Sequence, residues 1–383
     1  MKRLFSGKEL VKNSIILFSA GFIAQTIQFL LNLFLSNKLG PASFGTLKSA
    51  LYLFTSMTII IEFGTGFTFT KYVAEFNSKE KRKIGYLIKV FLKLRIISFI
   101  ALITAVFIFK DFIISYFIKD PSLNFIIIPG LLIIIADFFV IANSIVLGYQ
   151  NFRLYGLAQI LNIVLLSILA VLAINYGVYY ILLAWPLSNA SLLVYWKFLS
   201  KKRIFNKIKK FDIKSIFWKF SMPMYLLNIP AALPNFLIPI LNLFFSRLMI
   251  GYFSFAFMFY YASSLIPSSL ASVLFPKISE LNGLKKHSYA KSILKKGLKL
   301  YTIVFVTGLV AVLLLSKWFI SLVDIRYLPS LTMFQSILSL GLLFGYASIY
   351  IAYLRGLGKV KRIALLVLLQ NAVLFAVSFL VLV

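Results

Sequence analysis

The chain contains no cysteine, which rules out disulfides, thiolate metal sites and cysteine nucleophiles. It has one histidine, His287, set beside Lys285 and Lys286 in a Lys-rich stretch, where a solvated imidazole needs no special role. Acids are scarce: 10 Asp and Glu stand against 40 Lys and Arg in 383 residues. No glycine-rich phosphate loop occurs, which argues against ATP hydrolysis on this chain. Charged residues of both signs make up only 13% of the chain, against roughly 25% in soluble domains. What is present is apolar, 61% of all residues. No soluble core could hide so much apolar surface, so the solvent of this chain is lipid. The formal net charge of +30 could mean nucleic acid. Here the bases cluster between apolar runs, the pattern of membrane topology and of contact with anionic headgroups, so no nucleic-acid partner is expected. The amino terminus is basic, but the apolar run after it is too long for a cleaved signal and has no clear small-residue cleavage site.

A helix needs roughly 20 apolar residues to cross a bilayer. Eleven runs meet that need, at about 13–37, 43–69, 86–109, 122–147, 154–174, 177–198, 216–246, 250–275, 298–316, 328–353 and 363–383. The expected fold is an all-α, polytopic membrane protein. Its connections are short: GPASFG from Gly40 and NYGV from Asn175 read as tight turns. With the amino terminus placed in the cytoplasm, the Lys and Arg fall almost entirely on the inner side. Only Lys38, Lys48, Lys110, Lys119, Arg247, Lys317 and Arg326 fall outside. One wrong span would scramble this alternation, so the positive-inside rule supports orientation and helix count together.

The chain also repeats itself. LNLFLS, Leu31 to Ser36, returns as LNLFFS, Leu241 to Ser246. A lysine opens each segment, Lys12 and Lys219, and a second apolar run ends in TKYVAEFN from Thr70 and in PKISELN from Pro276. Several matches in one order at a nearly constant offset indicate two copies of one membrane module, a usual build of secondary transporters. The expected organisation is a six-helix lobe over 1–200, a basic cytoplasmic linker over 201–215, and a second lobe of five helices over 216–383. Two copies of one module would make twelve helices. The sequence stops at Val383 inside an apolar run, so an incomplete second lobe is expected.

LGPASFG, the LNLF repeat, PKISELN and the turn LRGLGKVKR together resemble the polysaccharide transporters, which include the O-antigen flippases. These belong to the multidrug/oligosaccharidyl-lipid/polysaccharide exporter superfamily. The resemblance covers essentially the whole chain, through motifs that mark helix ends and turns. It implies two pseudo-symmetric helix bundles, with twelve or more helices in most members, that move lipid-linked oligosaccharide across the cell membrane.

Polar stripes on membrane helices face partners or a cavity. Gln25, Gln28 and Asn32 share one face of the first helix, and Asn228, Asn235 and Asn242 recur every seven residues on the seventh. Gln25 and Asn32 map onto Asn235 and Asn242 in the repeat. Such amides either bond between helices, at roughly 0.6 kcal/mol each, or bind sugar hydroxyls, since they donate, accept and stay neutral. The seventh helix also carries Pro223, Pro230, Pro234 and Pro239. Prolines that remove donors and block ordinary turns predict a bent or broken helix, with the carbonyls of Leu226, Pro230 and Asn235 short of partners.

Glu62 and Asp137 are the two acids deep in apolar runs. A charge there costs roughly 2.5–3.5 kcal/mol, so each needs a base, a bound cation or a proton. They are the candidates for coupling to protons or sodium; the plainer reading is a structural hydrogen bond. Arg247, Lys38 and Lys48 are candidates for the lipid pyrophosphate, or simply snorkel to headgroups. Lys89, Lys93 and Arg95 at the start of the third helix read as gathering anionic lipid or setting topology. No catalytic residue, cofactor or metal is expected. A flippase is the leading reading, ahead of a drug or cation antiporter of the same fold. A polytopic glycosyltransferase or polymerase would need clustered acids and a sizeable outer loop.

Overall fold

The computed structural model describes residues 7–202, 204 and 208–383, and every regular element among them is helical. The principal helices are α1 (Gly7–Ile60), α2 (Thr65–Lys79), α3 (Arg82–Ile108), α4 (Ile127–Gly148), α5 (Phe152–Leu172) and α6 (Val178–Ser188). They continue as α7 (Met222–Ala232), α8 (Leu237–Phe244), α9 (Arg247–Ser263), α10 (Leu265–Gly283), α11 (His287–Val323), α12 (Leu331–Gly356) and α13 (Val360–Leu380). Among the described residues, nine helical stretches are long and apolar enough to cross a membrane.

Nine stretches among the described residues and eleven expected runs differ at two places. The first stretch, Ile15–Ile60, contains the first two expected runs in one continuous element. Its kink is Gly40, at φ 71° and ψ 171°, a conformation that favours glycine. Pro41 follows in a first-turn position where its missing N–H costs nothing. The other difference is the seventh run. It runs as a π turn at Phe217–Ser221, α7, a 3₁₀ turn at Leu233–Phe236 and α8; the side chains at 227, 228 and 231 lie outside the described residues, and the apolar stretch described there is Leu233–Phe244. Pro234 removes the donor that would have met the Pro230 carbonyl. The side-chain amide of Asn371, on α13, donates to that carbonyl instead. The second expected run, 43–69, also breaks. Phe63 and Gly64 both take positive φ, 49° and 67°, and α2 starts at Thr65. The broken end is covered: the Ser221 hydroxyl donates to the Phe63 carbonyl at 2.7 Å, and Tyr225 to that of Ile60 at 2.9 Å.

The chain divides into two compact units. Unit 1 is Met1–Leu31 with Ser49–Ile229, and unit 2 is Asn32–Lys48 with Pro230–Val383. Inside unit 1, Phe69 and Val73 of α2, Phe91 of α3 and Ile141 and Ile145 of α4 form an apolar core. Val146, Ala158 and Tyr195 form a second. Inside unit 2, Leu274 and Ile278 of α10, Leu294 and Tyr301 of α11 and Ile349 of α12 pack together.

Unit 2 also contains a close crossing of one helix from each repeat. A Cβ on Gly45 would run into the Arg247 carbonyl, and a Cβ on Gly251 into the Pro41 carbonyl. Each glycine lies four residues after the start of its helix. The two backbones therefore meet reciprocally, as close small-residue crossings in membranes do.

Candidate functional site

Three connected polar recesses lie within unit 1. The first, of about 360 Å³, is walled by Gln25 and Gln28 of α1, Asn143 of α4, Gln159 and Asn162 of α5, and Asn189 and Ser191 of the 3₁₀ turn after α6. The second, about 170 Å³, shares Val140, Asn162 and Asn189 with it and adds Thr58, Asp137 and Trp185. The third, about 210 Å³, shares Thr58, Asp137 and Val140 with the second and adds Glu62, Arg95 and Ser144. Helix geometry explains the lining. Asp137, Val140 and Ser144 fall at i, i+3 and i+7, one face of α4, while Gln159 and Asn162 fall at i and i+3 on α5.

The third recess holds the charge. Arg95 is 3% exposed at the middle of α3. One of its terminal nitrogens donates to Asp137 Oδ2 at 2.6 Å and to the Asp137 carbonyl at 3.2 Å, and the other donates to Thr65 Oγ1 at 3.0 Å. Glu62, at the break after α1, lines the same recess. Gly66 lets it sit there: a Cβ at that position would lie 2.9 Å from Glu62 Oε1 and 3.2 Å from Ser144 Oγ. The two deep acids thus share one guanidinium. With both ionised, the recess would carry one negative charge without a fixed counter-charge, a place for a proton or a small cation.

The first recess is neutral. Tyr195 donates to Asn143 Oδ1 at 2.6 Å, Gln159 Nε2 donates to the Tyr155 hydroxyl at 2.8 Å, and Asn162 Nδ2 donates to Asn189 Oδ1 at 3.1 Å. Gln25 and Gln28, the two amides expected at this face, line it without a hydrogen bond to any described residue.

The other sequence candidates sit elsewhere. Asn32, one turn on from Gln28, belongs to unit 2 and accepts from Lys48 Nζ at 2.7 Å. Lys48 is 7% exposed, lies over the Phe44 ring and forms no ion pair with a described acid. Asn235 donates to the Ala232 carbonyl of its own 3₁₀ turn at 3.1 Å, and Asn242 is fully buried. Lys38 is exposed and Arg247, half-buried, opens α9. The side chain of Asn228 lies outside the described residues. Lys89 and Lys93 are partly or fully exposed, but Arg95 leaves the basic rim for the interior.

Sequence reasoning missed Asn143, Gln159, Asn162 and Asn189, and it grouped Arg95 with the rim lysines rather than with Asp137. A signal for two of them existed, since Gln159 and Asn162 repeat the i, i+3 amide spacing of Gln25 and Gln28. Among the described residues no group of three or more His, Cys, Asp or Glu could hold a metal ion.

A chain with nine apolar helical stretches among its described residues, and with polar recesses and shared charge inside one unit, is by class a polytopic membrane protein. The sequence is more particular: residues 10–282 match the model of the polysaccharide biosynthesis protein family, and the chain belongs to that family. No curated protein matches it. Among solved structures it is similar to an inward-facing multidrug resistance MATE family transporter of the MOP superfamily, with TM-score 0.71 and 13% identity over 94% of each chain. It is also similar to the lipid II flippase MurJ in an inward closed conformation, with TM-score 0.66 and 16% identity over 96% of this chain and 86% of that one. A third similar structure is a MATE transporter in complex with MaL6, with TM-score 0.63 and 14% identity over 97% and 96%. At such identities the likeness is one of fold. The fold is shared with those transporters and that flippase, and the chain is a multi-pass membrane protein.

Proposed function

We propose that this chain is a flippase that carries lipid-linked oligosaccharide across the cell membrane for surface polysaccharide assembly, by alternating access of two lobes. The observation that carries this reading is the amide-walled recess, with an acid surplus beside it, inside a membrane-spanning chain of the polysaccharide biosynthesis family. The structural likeness to a flippase named for lipid II supports a lipid-linked cargo. Gln25 and Gln28, with Asn32, Asn228, Asn235 and Asn242, are the amides assigned to sugar hydroxyls. Lys38, Lys48 and Arg247 are the cations assigned to the lipid pyrophosphate, because phosphate favours Lys and Arg. Glu62 and Asp137 are assigned to coupling with a proton or sodium ion. In this scheme the lobes are 1–200 and 216–383, the linker 201–215 and the amino terminus are cytoplasmic, and the basic inner segments contact anionic lipid. The chain itself catalyses no covalent chemistry.

The test is transport of labelled lipid-linked oligosaccharide in proteoliposomes. Movement between leaflets without a change in sugar chain length is expected. Chain growth would instead make the protein a polymerase. The Glu62→Gln and Asp137→Asn variants are expected to lose ion-gradient dependence; unchanged dependence in both would remove the coupling assignment. One second reading has a specific observation behind it. The surplus acid and the MATE neighbours suit a drug or cation antiporter, which would show drug efflux with no movement of the glycolipid.

A further inference from the structure

The first recess of unit 1 has unmet hydrogen-bonding capacity of one chemical kind. Each carboxamide carries two N–H donors and an oxygen with two lone pairs. Asn143, Gln159, Asn162 and Asn189 use only part of theirs on each other, on tyrosines and on the Ser188 hydroxyl, and Gln25 and Gln28 use none on described residues. Ser191 also lines this recess, with its Oγ buried and without a hydrogen-bond partner among the described residues. Polar groups without partners are costly inside a membrane protein, and such groups concentrated on one wall mark a cavity that water or a ligand completes.

Three further features narrow the ligand. At about 360 Å³ the recess lies at the small end of ligand pockets, which span roughly 300–1,000 Å³. It would hold one or two sugar rings, not a long chain. The adjoining recess shares Asn162 and Asn189 and presents Trp185, an aromatic body of the kind that packs on the C–H face of a ring. No Lys or Arg lines either recess, and the nearest charges are Asp137 and, beyond it, Glu62 with Arg95. Two acids to one base disfavour an anionic ligand there.

We propose that this recess is a saccharide subsite in unit 1 that takes a neutral or N-acetylated pyranose and rejects uronates. The amides bond the ring substituents, and Trp185 packs on a ring face. That the sugar is part of a transported glycolipid rests on the flippase reading; the subsite itself does not.

The experiment uses the full chain in nanodiscs prepared without maltoside detergent. N-acetylglucosamine, glucose and glucuronate are titrated as probes while tryptophan fluorescence is followed, with Trp185→Phe to assign the signal. Saturable binding of at least one neutral sugar is expected, with glucuronate at least tenfold weaker. Gln25→Leu and Gln28→Leu are expected to weaken binding about tenfold each without lowering thermal stability, since neither amide is bonded within the fold. Asn162→Leu tests the opposite wall and serves if either glutamine variant expresses poorly. Absence of saturable binding by every neutral probe to folded protein, or equal binding by wild type and these variants, overturns the proposal. Leaflet-to-leaflet movement is measured separately. Binding without movement leaves the subsite standing and removes the flippase reading; movement that is indifferent to these variants does the reverse.

Discussion

The two units spend their polar side chains differently. In unit 2 the long-range bonds end mostly on backbone carbonyls. Asn37 donates to Val323 at 2.6 Å, Tyr327 to Ser36 at 3.1 Å, Tyr301 to Leu342 at 2.6 Å, and Asn371 to Pro230. Each supplies a partner to a carbonyl, which is what irregular backbone inside a membrane requires. In unit 1, Ser221 and Tyr225 do the same for the break after α1. The recess amides, however, are left with capacity facing open space. The same contrast separates the two Arg–Asp pairs. Arg326 and Asp324 are two residues apart, lie 2.7 Å from each other, and cap a 3₁₀ turn, with the arginine side chain about half exposed. Arg95 and Asp137, at 2.6 Å, join two helices in the interior and face a further acid. One pair finishes a turn; the other holds charge beside an interior recess. The open polar capacity of unit 1 thus lines its recesses, and the long-range bonds of unit 2 mostly hold backbone.

That contrast can be broken by substitution. The largest effect is expected for Arg95→Leu, which strands two half-buried acids; removing one partner of a fully buried pair costs roughly 3–5 kcal/mol, an upper bound here. Thermal unfolding should show a large drop, and adding Asp137→Asn with Glu62→Gln should recover most of it. No recovery would mean that Arg95 matters for packing, not for charge. Asn371→Leu leaves the Pro230 carbonyl without its side-chain donor and is expected to cost about 1–3 kcal/mol. A stability equal to wild type would show that the proline break needs no such cover. Asp324→Ala removes a turn cap and a partly exposed ion pair, for about 1 kcal/mol. At the small end, Gln25→Leu should leave the unfolding midpoint unchanged or slightly raised; a clear loss would place that amide in the scaffold.

Much of the architecture could be read from the residues. The apolar runs are long and bounded by basic or glycine-containing turns, and Gly40–Pro41 and the four prolines of the seventh run mark the places where the helices do bend. The break at Phe63–Gly64 was harder. Glu62-Phe63-Gly64 is short, lies inside an apolar run, and depends on hydroxyls that arrive from more than 150 residues later. Arg95 hid for another reason. Next to Lys89 and Lys93 it looks like rim charge, but it lies two residues past Lys93, on a different face of α3, and meets Asp137 only through tertiary packing. The recess itself draws on four separate stretches of chain. No local pattern joins Gln25 to Asn143, Gln159 and Asn189, although the repeated amide spacing on α5 was there to be seen.

The most direct test follows a fluorescent lipid-linked oligosaccharide between leaflets of proteoliposomes, comparing wild type with the Gln25→Leu/Gln28→Leu double variant at equal amounts of folded protein. The account predicts movement by wild type and at least tenfold slower movement by the variant, with the same thermal stability. Equal rates in the two proteins would contradict it.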